Sequence, residues 1–111
     1  MKFLVLAYGA EADWKTLSRS EQTELLAADE VLRKRGDYVA AVSTDVTTVT
    51  AWEGTAKLTD GRFACSNVPL AGFGIIEAEN LEEAISLVKD TPCARAKGAI
   101  ELRPLLDISG T

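Results

Sequence analysis

Four side chains of this 111-residue chain are candidates for acid/base chemistry: Tyr8, Asp29, Asp60 and Arg103. Carboxyl and phenol groups can donate or accept a proton, and a guanidinium can bind a carboxylate through two parallel hydrogen bonds. The chain has no histidine, so chemistry that depends on an imidazole is excluded. If the protein is an enzyme, we predict that these four side chains are its acid/base and orienting groups.

Asp29 belongs to a predicted amphipathic helix and lies at the edge of its apolar stripe. At 100° per residue it stands about 40° from Leu25 and about 60° from Leu32 around the helix axis. Two interpretations follow, a partly exposed charge beside the stripe or a pocket carboxylate whose pKa is raised by the loss of water.

Asp60 stands in TDGRF, residues 59 to 63, and is followed by Gly61. Asp-Gly is a turn pair, because the aspartate side chain bonds nearby amides and glycine accepts a positive φ. Tyr8 lies at the end of the first predicted strand, and Arg103 lies on the last one. Both are on faces that a partner or a cavity would cover. Each of these two side chains has a structural interpretation, a satisfied hydrogen bond or ion pair, beside the catalytic one.

The elements that must position these side chains follow from apolar periodicity and helix caps. Ser18 and Glu21 have the spacing of a capping box, and Gly36 follows the basic end of the same helix. The predicted elements are a strand at 2–8, a helix at 19–35, a strand at 37–43, a hairpin at 47–60 with a two-residue connection at Glu53-Gly54, a strand at 70–78, a helix from Asn80 that stops at Thr91-Pro92, and a strand at 98–105.

Without the hairpin, this order is the split β-α-β pattern of an α+β, ferredoxin-like sheet, with both helices on one face. The strands at 2–8 and 70–78 are nevertheless apolar on both faces, which is typical of strands covered on both sides. Two helices cannot cover the second face, and large apolar patches are commonly covered by a symmetric partner. We therefore predict a homodimer in which two sheets pack face to face around a cleft.

Composition narrows the class of protein. The length predicts a single domain over residues 1–111, and the net charge of −5 argues against nucleic acid as a partner. No apolar run of 18 residues is present, so we predict no membrane association, and MKFLVLAYG indicates a strand rather than a signal peptide.

Cys65 and Cys93 form no metal-binding motif and have no activating histidine, which predicts inert, reduced thiols in the cytoplasm and no metal site. The glycines of GFG at 72–74 lie inside a strand, where they allow close packing rather than nucleotide binding.

Long stretches of the chain, in the right order, resemble the YCII-related proteins, in particular the branch named for its Asp-Gly-Pro-Phe (DGPF) motif. The stretches are MKFLVLAYG, the tryptophan of ADW, LSRSEQTELLAADEVLRKRGD, TDGRF, LAGFGIIEAENLEEAI and IELRPL. The resemblance implies a ferredoxin-like, dimeric α+β barrel. It also implies enzymatic activity in the style of muconolactone isomerases, and some members accompany extracytoplasmic-function sigma factors.

The resemblance also assigns residues to a site, with two departures. By this resemblance, the rim of a ligand pocket is formed by Asp60, Gly61, Arg62 and Phe63. We also predict Phe73 as a residue of this pocket. Arg62 replaces the proline of the motif, so the loop loses a residue with fixed φ. Where many relatives carry a histidine or tyrosine in the first long helix, this chain has Ala27-Ala28-Asp29.

Two functions remain open at this stage. The first is a homodimer whose inter-sheet cleft binds a small organic molecule and catalyses isomerase-like or lyase-like chemistry without a cofactor. The second is a binding or regulatory protein linked to sigma-factor-dependent transcription, in which nothing is turned over.

Overall fold

The computed structural model describes residues 1–64 and 66–106, so Cys65, one of the two predicted inert thiols, lies outside them. The elements are β1 (Lys2–Tyr8), α1 (Glu11–Lys15), α2 (Arg19–Lys34), β2 (Tyr38–Ala41), β3 (Thr47–Thr50), β4 (Lys57–Asp60), β5 (Leu70–Glu77), α3 (Leu81–Val88), α4 (Pro92–Arg95) and β6 (Ala99–Pro104).

Four strands form one antiparallel sheet in the order β2-β5-β1-β6. Without β3 and β4, this is the strand order of a ferredoxin-like fold, so the predicted α+β topology is confirmed. The central strand β1 pairs with β5 on one side and β6 on the other, and Val5 stands opposite both Gly74 and Leu102. Strands β3 and β4 form a separate two-stranded sheet.

The hydrophobic core lies between this sheet and the helices α2 and α3. Phe3 and Ile76 are its largest fully buried side chains. The other buried members are Val5, Leu32, Ala78, Ala84 and Val88. The apolar stripe of α2 thus packs on the face that β1 presents through its odd-numbered residues.

Side-chain caps fix the start of both long helices, as predicted. The hydroxyl of Ser18 accepts a hydrogen bond from the amide of Glu21 at 3.1 Å, and the Glu21 carboxylate accepts one from the amide of Ser18 at 3.0 Å. Hydrogen bonding of the Glu21 carboxylate to the backbone amide of Ser18, and then to its side chain, lowers the pKa of Glu21, because it favours the ionised form. Asn80 caps α3 by accepting a hydrogen bond from the amide of Glu83 at 2.8 Å.

One local prediction was wrong, and two short helices were not predicted. The hairpin connection is not two residues long, because pairing ends at Thr50 and Lys57 and residues 51–56 form the loop. The helix from Asn80 does end before Thr91-Pro92, at Val88, but Pro92 then begins α4, which was not predicted; at that first position its missing amide costs no hydrogen bond. The helix α1, five residues long, was not predicted because it is too short to show an apolar period.

The second face of the sheet has no helix packed on it within residues 1–64 and 66–106. Its apolar members, which we call the open face, are Leu4, Leu6, Tyr8, Tyr38, Phe73 and Ile75. Tyr38 is 60% and Ile75 is 37% exposed. Among the described residues, none of the helices has the length and apolar character needed to cross a lipid bilayer.

Candidate functional site

Two adjoining cavities lie on the helix side of the sheet. The helix–sheet cavity, about 130 Å³, is bounded by residues such as Val5, Leu32 and Val88. The sheet-end cavity, about 450 Å³, is bounded by residues such as Trp14, Leu26 and Leu70. Both cavities share Asp29, Ala41, Ala71, Pro92 and Cys93 as wall residues.

The helix–sheet cavity exists because two of the helix-facing positions of β5 are glycines. Gly72 and Gly74 alternate with Phe73 along β5, and they pair with Ala7 and Val5 on the face that carries the core. A Cβ at Gly74 would stand 2.5 Å from the carbonyl oxygen of Tyr38. Close approach of β2 therefore requires glycine, in agreement with the close packing predicted for GFG, and the space above it stays open.

The sheet-end cavity is formed where α1 folds back on α2. The side-chain amide of Gln22 donates a hydrogen bond to the carbonyl of Trp14 at 2.9 Å, and the amide of Gly9 donates one to the carbonyl of Pro69 at 3.0 Å. These bonds hold the chain that follows β1 over the start of β5. The tryptophan of ADW thus lines a wall that is mostly apolar.

Asp29 projects from α2 at the junction of the two cavities. It is half-buried, and within residues 1–64 and 66–106 its carboxylate makes no hydrogen bond and no ion pair. Burial raises the pKa of Asp29, and the positive charge of Arg33, one turn along the helix, partly opposes this. Such a carboxyl group is a stronger base when ionised than one in water.

Cys93 is the wall residue that the sequence did not identify. A Cβ at Gly9 would stand 3.0 Å from its Sγ, so the thiol lies directly against the chain after β1. Burial raises the pKa of Cys93, and the negative charge of Asp29 raises it further. The thiol therefore stays protonated at neutral pH and can donate a weak hydrogen bond. Only the fold brings Cys93 to Asp29, which is 64 positions earlier in the chain.

The remaining polar wall residues are Arg33 and Thr91 in the helix–sheet cavity and Glu11 and Thr44 in the sheet-end cavity. Glu11 is mostly exposed and forms an ion pair with Lys15 at 3.3 Å. Among the described residues, no group of three or more histidine, cysteine, aspartate or glutamate side chains could hold a metal ion.

The other predicted site residues lie away from Asp29. Tyr8 and Arg103 lie on the opposite face of the sheet, where Arg103 donates a hydrogen bond to Glu101 at 3.1 Å. Phe73 forms part of the helix–sheet cavity wall, although its ring lies 5.7 Å from the ring of Tyr38 on the open face. The roles proposed for these residues remain predictions.

The TDGRF segment closes the base of the hairpin. Asp60 and Arg62 are exposed, and Phe63 is 73% exposed. Gly61 adopts a φ of 115° and its amide donates a hydrogen bond to the carbonyl of Val46 at 2.9 Å, while its own carbonyl accepts one from the Thr48 hydroxyl at 2.6 Å. The segment is thus a turn, and within one chain it borders neither cavity around Asp29.

The raised pKa of Asp29 makes a prediction about stability. A carboxyl whose pKa is higher in the folded state costs nothing at a pH below both pKa values, where it is protonated in both states. The free energy of unfolding falls as pH rises from the unfolded-state pKa to the folded-state pKa, and the loss is complete above the latter. Asp29→Asn should therefore unfold at a slightly higher urea concentration than the parent at pH 7, and the difference between the two proteins should be smaller at about pH 4, close to the ordinary pKa of an aspartate. The gain is small because the carboxylate is only half-buried.

Urea titrations of both proteins at the two pH values measure this difference. Asp45→Asn, an exposed aspartate before β3, controls for the loss of one negative charge from an acidic chain. A loss of several kcal/mol in Asp29→Asn at pH 7 would show instead that the carboxylate stabilises the fold.

The chain is similar to proteins of a known domain family. The model of the YCII-related domain family matches residues 1–109. A solved structure with a similar chain is 5-chloro-2-hydroxyhydroquinone dehydrochlorinase (TftG) from Burkholderia phenoliruptrix AC1100, in complex with 2,5-dihydroxybenzoquinone. The two chains are 19% identical, the alignment covers 96% of this chain and 94% of that one, and the TM-score is 0.49. No curated protein matches the chain.

Proposed function

This chain belongs to the family of YCII-related domains, and we propose that it is a small homodimeric protein that binds an uncharged organic molecule beside Asp29 and transfers a proton to or from it. One observation carries the proposal: a half-buried carboxyl group with a raised pKa stands at the junction of two cavities whose walls are mostly apolar. We also propose that the protein acts in the cytoplasm.

The size and chemistry of the cavities support a small aromatic or alicyclic ligand. The sheet-end cavity alone, about 450 Å³, is within the range of small-molecule sites. Trp14 offers an aromatic surface. Within residues 1–64 and 66–106, the walls carry two carboxylates, Glu11 and Asp29, and one cation, Arg33, which is ion-paired with Glu30 at 3.3 Å, so we expect them to disfavour an anion. Hydroxyl or carbonyl groups of the ligand could reach Asp29 and the Cys93 thiol, which are the polar groups at the junction.

The proposed chemistry assigns Asp29 as the proton-transfer group. In its ionised form it removes a proton from a carbon next to a carbonyl of the ligand, and it then returns that proton to another atom of the same molecule. This is an isomerisation in which the electron pair stays in the ligand, so neither cofactor nor oxidant is required. A positioned general base of this kind contributes roughly 10²- to 10⁴-fold to a rate.

Ligand binding is tested by a thermal-shift screen of phenol, catechol and 2-indanone against benzoate and salicylate. A ligand at one hundred times its Kd stabilises the folded state by about 2.7 kcal/mol, so the uncharged compounds should raise Tm by several degrees and the anions should not. Ala41→Phe, which fills the junction of the cavities, should abolish the shift. Ala27→Phe, exposed on α2 and lining neither cavity, is the matched control and should retain it.

Proton transfer is tested on 2-indanone, which has an enolisable C–H bond. The protein should accelerate deuterium incorporation from D₂O, measured by NMR, and Asp29→Asn should lose at least about 100-fold of that rate while keeping the thermal shift. A thermal shift without accelerated exchange in the parent protein would refute catalysis and favour the binding or regulatory function. No shift with any compound, or an equal shift in Ala41→Phe, would refute the site.

A further inference from the structure

The two cavities beside Asp29 differ in size and meet at one place. The sheet-end cavity, about 450 Å³, is more than three times as large as the helix–sheet cavity, about 130 Å³. Asp29 and Cys93 are the two polar side chains that belong to the walls of both. A ligand that occupies both cavities therefore has its middle beside the carboxyl group and the thiol.

The helix–sheet cavity ends inside the hydrophobic core. Val5, Leu32 and Val88 form its inner wall, and they are 8%, 3% and 4% exposed. Gly72 and Gly74 of β5 form the part of the wall that lies on the sheet. Because core residues close this end, a group that enters the helix–sheet cavity comes from the junction beside Asp29.

The wall of the helix–sheet cavity favours an apolar group over water. The hydroxyl of Thr91 already donates a hydrogen bond to the carbonyl of Val88 at 2.6 Å, and the guanidinium of Arg33 is paired with Glu30 at 3.3 Å. The backbone of β5 is paired with β1 and β2. Within residues 1–64 and 66–106, no fully buried side-chain nitrogen or oxygen lacks a hydrogen-bond partner. A buried water needs two to four polar partners, so this wall offers it little.

The volume of the helix–sheet cavity limits what it can hold. An apolar protein cavity of about 150 Å³ binds benzene, which has six carbon atoms. A cavity of about 130 Å³ is therefore suited to an aliphatic chain of about three or four carbons. The larger sheet-end cavity, with Trp14 in its wall, is suited to a ring.

We propose that the ligand of this site is a ketone in which a ring and a short aliphatic chain are joined at the carbon next to the carbonyl. The ring occupies the sheet-end cavity and the chain occupies the helix–sheet cavity, so the carbon that joins them lies beside Asp29. Ionised Asp29 removes the proton of this carbon, and the C–H electron pair becomes the double bond of an enolate. The Cys93 thiol donates a hydrogen bond to the enolate oxygen, and Asp29 returns the proton. This inference rests on the proposed function and adds to it the substrate class and the carbon that loses its proton.

Binding is tested with 2-indanones that carry a methyl, propyl or hexyl chain on a carbon next to the carbonyl, by titration calorimetry. Each methylene group buried in the cavity should lower Kd about fourfold. The propyl compound should therefore bind about 15-fold more tightly than the methyl compound. The hexyl compound should gain nothing beyond propyl, because its chain is longer than the cavity can hold.

Two wall variants change the preferred chain length in opposite directions. Ala7 and Val39 line the helix–sheet cavity but not the sheet-end cavity. Ala7→Leu places three carbons in the cavity and should reduce the methyl-to-propyl ratio of Kd values to about 1. Val39→Ala removes two carbons and should make a pentyl compound bind more tightly than propyl. Leu26→Ala, in the wall of the sheet-end cavity alone, is the matched control and should keep the parent's ratio.

The position of proton transfer is tested by NMR of the propyl compound in D₂O. Relative to buffer alone, the protein should accelerate deuterium incorporation more at the carbon that carries the chain than at the opposite carbon next to the carbonyl. Asp29→Asn should lose at least about 100-fold of this acceleration and keep the methyl-to-propyl ratio of Kd values.

The outcomes separate this inference from the proposed function. Binding of 2-indanone with equal affinities for its methyl and propyl derivatives would refute the two-cavity ligand and leave the proposed function intact. An unchanged methyl-to-propyl ratio in both Ala7→Leu and Val39→Ala would show that the chain lies elsewhere and would also refute it. Faster exchange at the opposite carbon would refute the assigned position of the proton. No binding of any of these ketones would refute the proposed function together with this inference.

Discussion

Replacing Phe3 by alanine is expected to lower the free energy of unfolding by about 4 kcal/mol, because the whole ring is removed from the centre of the core. Phe3 has no exposed surface, and it lies in the middle of β1's helix-facing side with Leu32, Ile76 and Ala84 among its core neighbours. Domains of this size are stable by about 5–15 kcal/mol, so the variant should lose a large share of its stability. Urea unfolding, followed by tryptophan fluorescence and circular dichroism, measures the change.

Phe63→Ala is the matched control for this substitution. It removes the same ring from a position that is 73% exposed, beyond the end of β4, and should change the free energy of unfolding by less than about 0.5 kcal/mol. If Phe3→Ala also cost less than about 1 kcal/mol, β1 would not be the central buried strand of this sheet.

The fold could be predicted from the sequence where patterns are local. Ser18 and Glu21 define the start of α2 through bonds between residues three apart, and the alternation in β1 indicates which side chains share a face. Helix order and strand order then leave few topologies. By contrast, α1 and α4 are too short for periodicity to detect, and tertiary contacts stabilise them, among them the hydrogen bond from Gln22 to the carbonyl of Trp14.

The candidate site could be predicted only in part. Asp29 was identified because helical geometry places it beside the apolar stripe, which is a local property. Cys93 was not, because its proximity to Asp29 depends on how α4 packs against α2. The sequence also hinted at the cavity through Gly72 and Gly74, which share one face of β5. These glycines indicate close packing, but they do not indicate that the space beside them stays open.

Replacing Gly98 by alanine should also cost about 3 kcal/mol, for a reason opposite to that of Phe3. A Cβ at this position would stand 2.0 Å from the carbonyl oxygen of Tyr8 and 2.7 Å from that of Cys93. Both contacts are backbone atoms, which cannot move aside as the end of a flexible side chain does. The extra methyl therefore has to separate α4 from the end of β1, and overpacking of this kind costs about 1–3 kcal/mol or somewhat more.

Gly36→Ala separates this steric effect from the loss of a glycine as such. Gly36 has a φ of 95°, and apart from its two chain neighbours no atom of the described residues lies within 4 Å of the place that an added methyl group would occupy, so alanine there should cost only about 1 kcal/mol of backbone strain. A cost for Gly98→Ala no larger than that of Gly36→Ala would show that α4 does not lie tightly against the end of β1.

The displacement of α4 has a chemical readout that ordinary destabilisation does not. Cys93 lies between Gly98 and the cavities, so moving α4 should expose its thiol to water, lower its pKa and accelerate its reaction with a thiol reagent under native conditions. With Cys65 replaced by serine, labelling of Gly98→Ala should be several-fold faster than labelling of the parent, while Gly36→Ala should match the parent. Equal rates in all three proteins would mean that the contact at Gly98 does not hold the cavity wall in place. Faster labelling, together with loss of the 2-indanone thermal shift, would show that the same backbone contact shapes the site beside Asp29.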